Sequence, residues 1–306
     1  MATQVFCGAV QAEPIASDIV GYQNRALQTS KFVWCCGTFQ AVGTAQANMT
    51  LGDVSLANED GVAMGEVTLY LFNDKASNLK LTSDDTAAFI GKSASFVFLP
   101  QAQIDEAKAD PEYEGELDGV VAGWYHYEDE EFTECFNGFK IPYGSGYAMK
   151  QSAAGYSVVY AGTVVKNADM PSVGLATSKF VWTGNAAPKA MTLGDFSLSN
   201  DDGVNMGEVT LYFFNDKASN LKLTADDTAA FIGKSASFVY LPQSQIDEAK
   251  ADPEYEGELD GVVAGWYHYE DEEFTECFNG FEIEAGQGFA VKQSASGYSI
   301  DLPGAL

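Results

Sequence analysis

The chain repeats itself. Residues 49–158 align with residues 191–300 at a constant offset of 142 without a gap, and sixteen of the 110 positions differ. Upstream, Ser30-Lys31-Phe32-Val33-Trp34 matches Ser178-Lys179-Phe180-Val181-Trp182 at an offset of 148, so the first copy carries six extra residues between Trp34 and Met49. Repeats of this length are tandem domains, because solenoid and propeller units recur every 20–50 residues or so. Whatever fold one copy adopts, the other must adopt too, and 306 residues leave room for a core in each.

Within a copy, short β-rich runs alternate with turns. Residues 64–73 place Val67, Leu69 and Leu71 on one face and Glu66, Thr68 and Tyr70 on the other, which is the period of a strand. Residues 94–99, 120–127, 132–136, 146–151 and 156–164 are also rich in β-branched and aromatic side chains. Asn58-Glu59-Asp60-Gly61 and Pro142-Tyr143-Gly144-Ser145-Gly146 punctuate them as turns. Two short helices are predicted: residues 86–90 behind the cap Thr82-Ser83-Asp84-Asp85, and residues 100–109, which open on Pro100 and stop before Asp110-Pro111. The fold class that follows is all-β with a few short helices, as two tandem, near-identical β-sandwich or jelly-roll-like domains. Residues 1–18 form an N-terminal extension, residues 19–165 the first domain and residues 166–306 the second.

The net charge of −28 is concentrated. Residues 105–134 hold 12 acidic side chains against the single Lys108, and residues 247–276 repeat them, so 24 of 44 carboxylates fall in two patches. Such surfaces repel nucleic-acid phosphates and anionic lipid, which argues against both as partners. No run nears the ~18 apolar residues of a membrane span, and no basic region followed by an apolar stretch opens the chain. Either the chain is cytoplasmic or its sequence begins after processing; the expectation taken is the second, an exported protein whose signal peptide has been removed.

Ile19-Val20-Gly21-Tyr22, Gly123-Trp124-Tyr125 and Gly144-Ser145-Gly146-Tyr147-Ala148-Met149 resemble a pattern in secreted β-rich repeat-domain proteins of verrucomicrobial-type bacteria. The second copy departs from it at the start, with Pro171-Ser172-Val173-Gly174. The resemblance implies an exported protein of unassigned function and carries over no site residues.

Catalytic patterns are scarce. His126 and His268 share the context Trp-Tyr-His-Tyr-Glu-Asp-Glu-Glu, with no nucleophile elbow to pair them. Gly144-Ser145-Gly146 and Gly286-Gln287-Gly288 open strands rather than helices, so they are turns and not phosphate cradles. A carboxylate pair of the glycosidase kind has no specificity in so acidic a chain. No catalytic residue, cofactor or metal site is assigned. Asn58-Glu59-Asp60-Gly61 and Asn200-Asp201-Asp202-Gly203 leave calcium open without the spacing of an EF-hand. Trp124, Tyr125 and Tyr127, repeated as Trp266, Tyr267 and Tyr269, form a strand of mixed core and surface packing, with Trp124 and His126 on one face and Tyr125 and Tyr127 on the other, or, in a second reading, a sugar-stacking platform.

The termini look like halves of the internal joint. Gly297-Tyr298-Ser299-Ile300 repeats Gly155-Tyr156-Ser157-Val158, and Val5-Phe6-Cys7-Gly8-Ala9-Val10 parallels Val159-Tyr160-Ala161-Gly162-Thr163-Val164. A strand of residues 3–10 could complete the second domain of a neighbouring copy beside Tyr298, Ile300 and Leu302, or fold back onto its own first domain. The interface then comprises Val5, Phe6, Cys7, Ala9 and Val10 against Tyr298, Ile300 and Leu302. Five cysteines fit no zinc motif. Cys35 or Cys36 could pair with Cys135, while Cys277 could bridge to a neighbour's Cys7, Cys35 or Cys36; free buried thiols are the competing reading. The function expected is therefore that of a non-enzymatic, extracellular filament subunit that binds its own copies head to tail. An adhesin or a carbohydrate- or calcium-binding module is the alternative.

Overall fold

The computed structural model describes residues 20–39, 49–57, 63, 65–72, 93–113, 115, 117–166, 169–199, 205, 207–214, 235–255, 257 and 259–304. The fold is all-β. The first half holds β1 (Val20–Ala26), β2 (Val33–Cys36), β3 (Met49–Thr50), β4 (Ser55–Ala57), β5 (Val67–Phe72), β6 (Ser93–Leu99), β7 (Gly123–His126), β8 (Lys140–Ile141), β9 (Gly146–Gln151) and β10 (Ser157–Thr163). The second half repeats them as β11 (Ser172–Gly174), β12 (Phe180–Gly184), β13 (Met191–Thr192), β14 (Ser197–Ser199), β15 (Val209–Phe214), β16 (Ser235–Leu241), β17 (Gly265–His268), β18 (Glu282–Ile283), β19 (Gly288–Gln293) and β20 (Ser299–Asp301). Among the described residues one α-helix accompanies each set, α1 (Gln101–Ala109) and α2 (Gln243–Ala251). Among the described residues no helix is long and apolar enough to cross a membrane.

Strand order is the same in both halves. A five-stranded antiparallel sheet runs β2-β9-β5-β6-β7, and its counterpart β12-β19-β15-β16-β17. A three-stranded sheet runs β1-β10-β4, and its counterpart β11-β20-β14. The two sheets of a half share one core, in which Leu56 and Val158 from the smaller sheet meet Leu69, Phe96, Trp124 and Met149 from the larger. The alternation of β5 sets the register: Val67, Leu69 and Leu71 are buried toward that core.

The larger sheet is covered on its other face as well. Ile104 of α1 is fully buried against Val97, Leu99 and Tyr125, and Ile246 repeats the contact. Burying such a side chain stabilises by about 1.5–3 kcal/mol. This double cover explains why residues 96–99 of β6 are a continuous apolar run, while its first residues alternate serine with Ala94.

Several expectations land elsewhere. The loops of residues 58–61 and 200–203, the helix of residues 86–90 and the strand of residues 3–10 all fall outside the described residues. Residues 132–136 form no strand; only Cys135 bridges to Tyr125. Phe132 adopts φ 51°, a left-handed turn that breaks extended pairing. Asp129 holds that turn by accepting bonds from Thr133 Oγ1 at 3.2 Å and Glu134 N–H at 3.1 Å.

Candidate functional site at the junction of the two halves

The halves meet through β2 and β9 on one side and β12 and β19 on the other. Trp34 stacks on Trp182, its counterpart in the repeat, with ring centroids 4.3 Å apart and planes 6° apart. A residue that packs on its own equivalent marks a local two-fold relation, and the flanking contacts obey it. A Cβ on Gly146 would lie 2.5 Å from Thr183 O, and one on Gly288 would lie 2.7 Å from Cys35 O. Gly146 and Gly288 are equivalents, as are Cys35 and Thr183. The junction is thus quasi-isologous, like a homodimer interface within one chain.

Backbones approach closely there. Cys36 N–H donates to Gly286 O at 2.9 Å, and Thr183 Oγ1 donates to Gly144 O at 2.7 Å. At the axis, Gly184 faces its own equivalent, Cys36; a Cβ on Gly184 would lie 2.6 Å from Cys36 Cβ. One of the two positions must be glycine.

The two ends of the junction differ in chemistry. At one end Gln23 Nε2 donates to Ala285 O at 2.5 Å, and Arg25 bonds the Gln287 side chain and pairs with Glu284 at 3.5 Å. At the other end, Pro171 and Val173 replace Gln23 and Arg25 and pack with Leu302 around Gly144. Tyr143 inserts against the core of the second half there, its hydroxyl donating to Ala186 O at 2.7 Å. Burial pushes the Tyr143 phenol up, with Cys36 adding to the effect.

Sequence reasoning did not single out this junction, although a signal was there. Six of the sixteen differences between the copies fall within residues 140–149, at Lys140, Pro142, Tyr143, Ser145, Tyr147 and Met149. A near-symmetric interface built from one chain gives each copy a different partner surface, so divergence gathers where the copies touch.

Around the tryptophan pair lies an aromatic band on the sheet faces. Phe32 meets Tyr70 edge-on at 5.1 Å, Phe180 meets Tyr212 in the same way at 5.1 Å, and Phe214 reaches Trp34 at 5.6 Å. These rings are half-buried, and Phe32 is 37% exposed. Lys150 Nζ lies 5.6 Å over the Phe32 ring, and Lys292 Nζ lies 5.5 Å over Phe180, within cation–π range.

The residues expected to form a polymer joint are placed differently. Val5, Phe6, Cys7, Ala9 and Val10 lie outside the described residues. Tyr298, Ile300 and Leu302 belong to the core of the second half. β20 pairs with β11 on one side and β14 on the other, so no free side remains beside it for a donated strand. Leu302 occupies the position of Tyr160, while Pro171 and Pro303 end the ladder that β1 and β10 continue in the first half.

The cysteine expectation also changes. Cys35, Cys36, Cys135 and Cys277 are free thiols. Cys35 belongs to the main core of the first half and Cys36 to that of the second, whereas Cys135 packs beneath α1 on the opposite face of the sheet. Cys277 likewise lies with Tyr267, in a different cluster from Ile300, so it does not line β20. Burial raises the Cys35 and Cys36 thiols, which disfavours the nucleophilic thiolate.

The sugar platform dissolves too, because Trp124 and Tyr125 are each 1% exposed on opposite faces and only Tyr127, at 61%, reaches solvent. Among the described residues no group of three or more His, Cys, Asp or Glu gathers to hold a metal ion. Comparison with protein-family models, with curated proteins and with solved structures found no match to this chain.

Proposed function

We propose that this chain is a non-enzymatic structural subunit whose copies associate head to tail into an extracellular or cell-surface filament. The observation that supports it is the junction itself. Each half packs against its own duplicate through stacked tryptophans and close main-chain contacts, so this fold is a partner for itself. The extracellular setting follows from the resemblance to secreted repeat proteins. The duplication makes one chain a pre-paired unit, and the remaining surfaces of that unit carry the contacts between copies.

Negative-stain microscopy and sedimentation of the purified full chain test this reading. Filaments with a regular axial repeat, growing with protein concentration, are the expected result. A chain that stays monomeric at all accessible concentrations, or a hydrolytic activity abolished by a single change such as Glu130→Gln, would overturn it.

A further inference from the structure

The chain carries only 16 basic residues against 44 acidic ones, yet lysines gather at the aromatic band. Lys150 and Lys292 lie over Phe32 and Phe180, and the exposed Lys31 and Lys179 directly precede those two rings. Among the described residues neither Lys150 nor Lys292 forms an ion pair with a carboxylate; the ion pair present is that of Arg25 with Glu284. Among the described residues the band is thus an aromatic face that carries Lys150 and Lys292 on a strongly negative molecule.

Its complement sits on the same molecule. After β7 the chain turns through Tyr127-Glu128-Asp129-Glu130-Glu131, with Tyr127 61% exposed and Glu128, Glu130 and Glu131 exposed beside it. The second half repeats this loop at Tyr269, which is 62% exposed. The loop is held in one shape. Asp129 accepts from Thr133 Oγ1 and the Glu134 amide, and Phe132 packs edge-on against Tyr125 at 5.2 Å. Burial alone would raise the Asp129 carboxyl, but these hydrogen bonds outweigh it and hold it below the usual range, so the loop keeps its charge. A preorganised loop loses little entropy on docking.

We propose that copies join by seating this acidic loop, through Tyr127, Glu130 and Glu131 or their equivalents, on the lysine-bearing aromatic face at Phe32 and Lys150 or at Phe180 and Lys292 of the next molecule. The proposal rests on the filament reading and names its contact. Seated on the face of the next molecule, with its own face left for a third, the loop makes a heterologous contact that propagates rather than closing on a pair. Exposed tyrosine against aromatic rings supplies apolar area, while lysine–glutamate complementarity fixes orientation and excludes face-to-face or loop-to-loop pairing. The charged part is screened within about 8 Å at physiological ionic strength, so assembly weakens as salt rises.

A charge exchange on the full chain tests it. One variant carries Lys150→Glu and Lys292→Glu; the other carries Glu130→Lys, Glu131→Lys, Glu272→Lys and Glu273→Lys. Circular dichroism and melting establish that both fold. Sedimentation should show that each variant alone needs on the order of 100-fold more protein to assemble. An equimolar mixture should recover assembly, because the reversed loop then meets the reversed face. If each folded variant assembles like the parent, or the mixture fails to recover, this contact is wrong while the filament reading stands. If the parent itself never assembles, the filament reading falls and this inference with it. A monomeric parent that binds an acidic polysaccharide such as alginate, and loses it with Lys150→Glu and Lys292→Glu, assigns the face to a glycan and overturns the proposal.

Discussion

Replacing Gly146 by alanine places a methyl group where β12 passes. The new carbon would lie 2.5 Å from Thr183 O, 2.8 Å from its N and 3.1 Å from its C, all main-chain atoms that cannot rotate away. Ordinary contact requires at least about 3.4 Å, so the strand must retreat by roughly 0.5–1 Å. Trp182 precedes Thr183, and its 4.3 Å stack on Trp34 opens with the same movement. Overpacking of this kind costs about 1–3 kcal/mol. Loss of an aromatic pair adds about 0.5–1.5 kcal/mol. Each half is close to 150 residues, so the thermal midpoint should fall by roughly 5–14 °C. Calorimetry should also show a looser coupling of the halves, with the van 't Hoff enthalpy dropping below the calorimetric one. Gly138→Ala is the control, because a Cβ there meets nothing within 4 Å. Gly146→Ala melting like Gly138→Ala, in one transition, would refute the close approach of the halves.

Asn137 clamps the start of β7, accepting from Trp124 N–H and donating to Ala122 O, each at 3.0 Å, and Asn279 repeats the clamp at Trp266 and Ala264. Asn137→Ala leaves these groups unsatisfied and should lower stability by about 1–3 kcal/mol in urea unfolding, with an unchanged m-value. Alkaline titration should destabilise the fold between pH 10 and 12. Burial pushes Tyr125 and Tyr267 up to about 12, and hydrogen bonds to Glu66 and Glu208 do the same for Tyr156 and Tyr298. Because their folded-state values are raised from 10, their contribution is complete below pH 10 and lost as pH rises through 12. Melting temperatures that stay level across that window would contradict this assignment.

Much of the fold was legible from local pattern. The alternation of residues 67–71 gave the sheet face of β5, and Pro100 with Asp110-Pro111 bracketed α1 to within a residue. The duplicate strand order followed from the repeat. What local pattern could not supply was the partner of each surface. Trp124 and Tyr125 read as a strand with one wet face, yet α1 and the loop after it cover that face, which no periodicity reports. Residues 132–136 are aromatic and β-branched, but the turn that Asp129 stabilises outweighs their strand preference. The similarity of the C-terminus to the internal joint suggested an open edge at β20. Pairing with β11 and β14 closes it on both sides, and Leu302 in the place of Tyr160, with prolines at positions 171 and 303, ends the ladder there. The junction needed a comparison between copies rather than a reading along one, since its mark is where they diverge.

The pairing of the halves is tested most directly by hydrogen exchange at one amide. Among the described residues β2 is the outer strand of its sheet, beside β9, and Cys36 N–H donates across the junction to Gly286 O at 2.9 Å. If the halves are closed as described, Cys36 exchanges as slowly as Leu69 in the middle of the same sheet. If Cys36 exchanges at the rate of an exposed strand edge while Leu69 stays protected, the halves are not joined in this way.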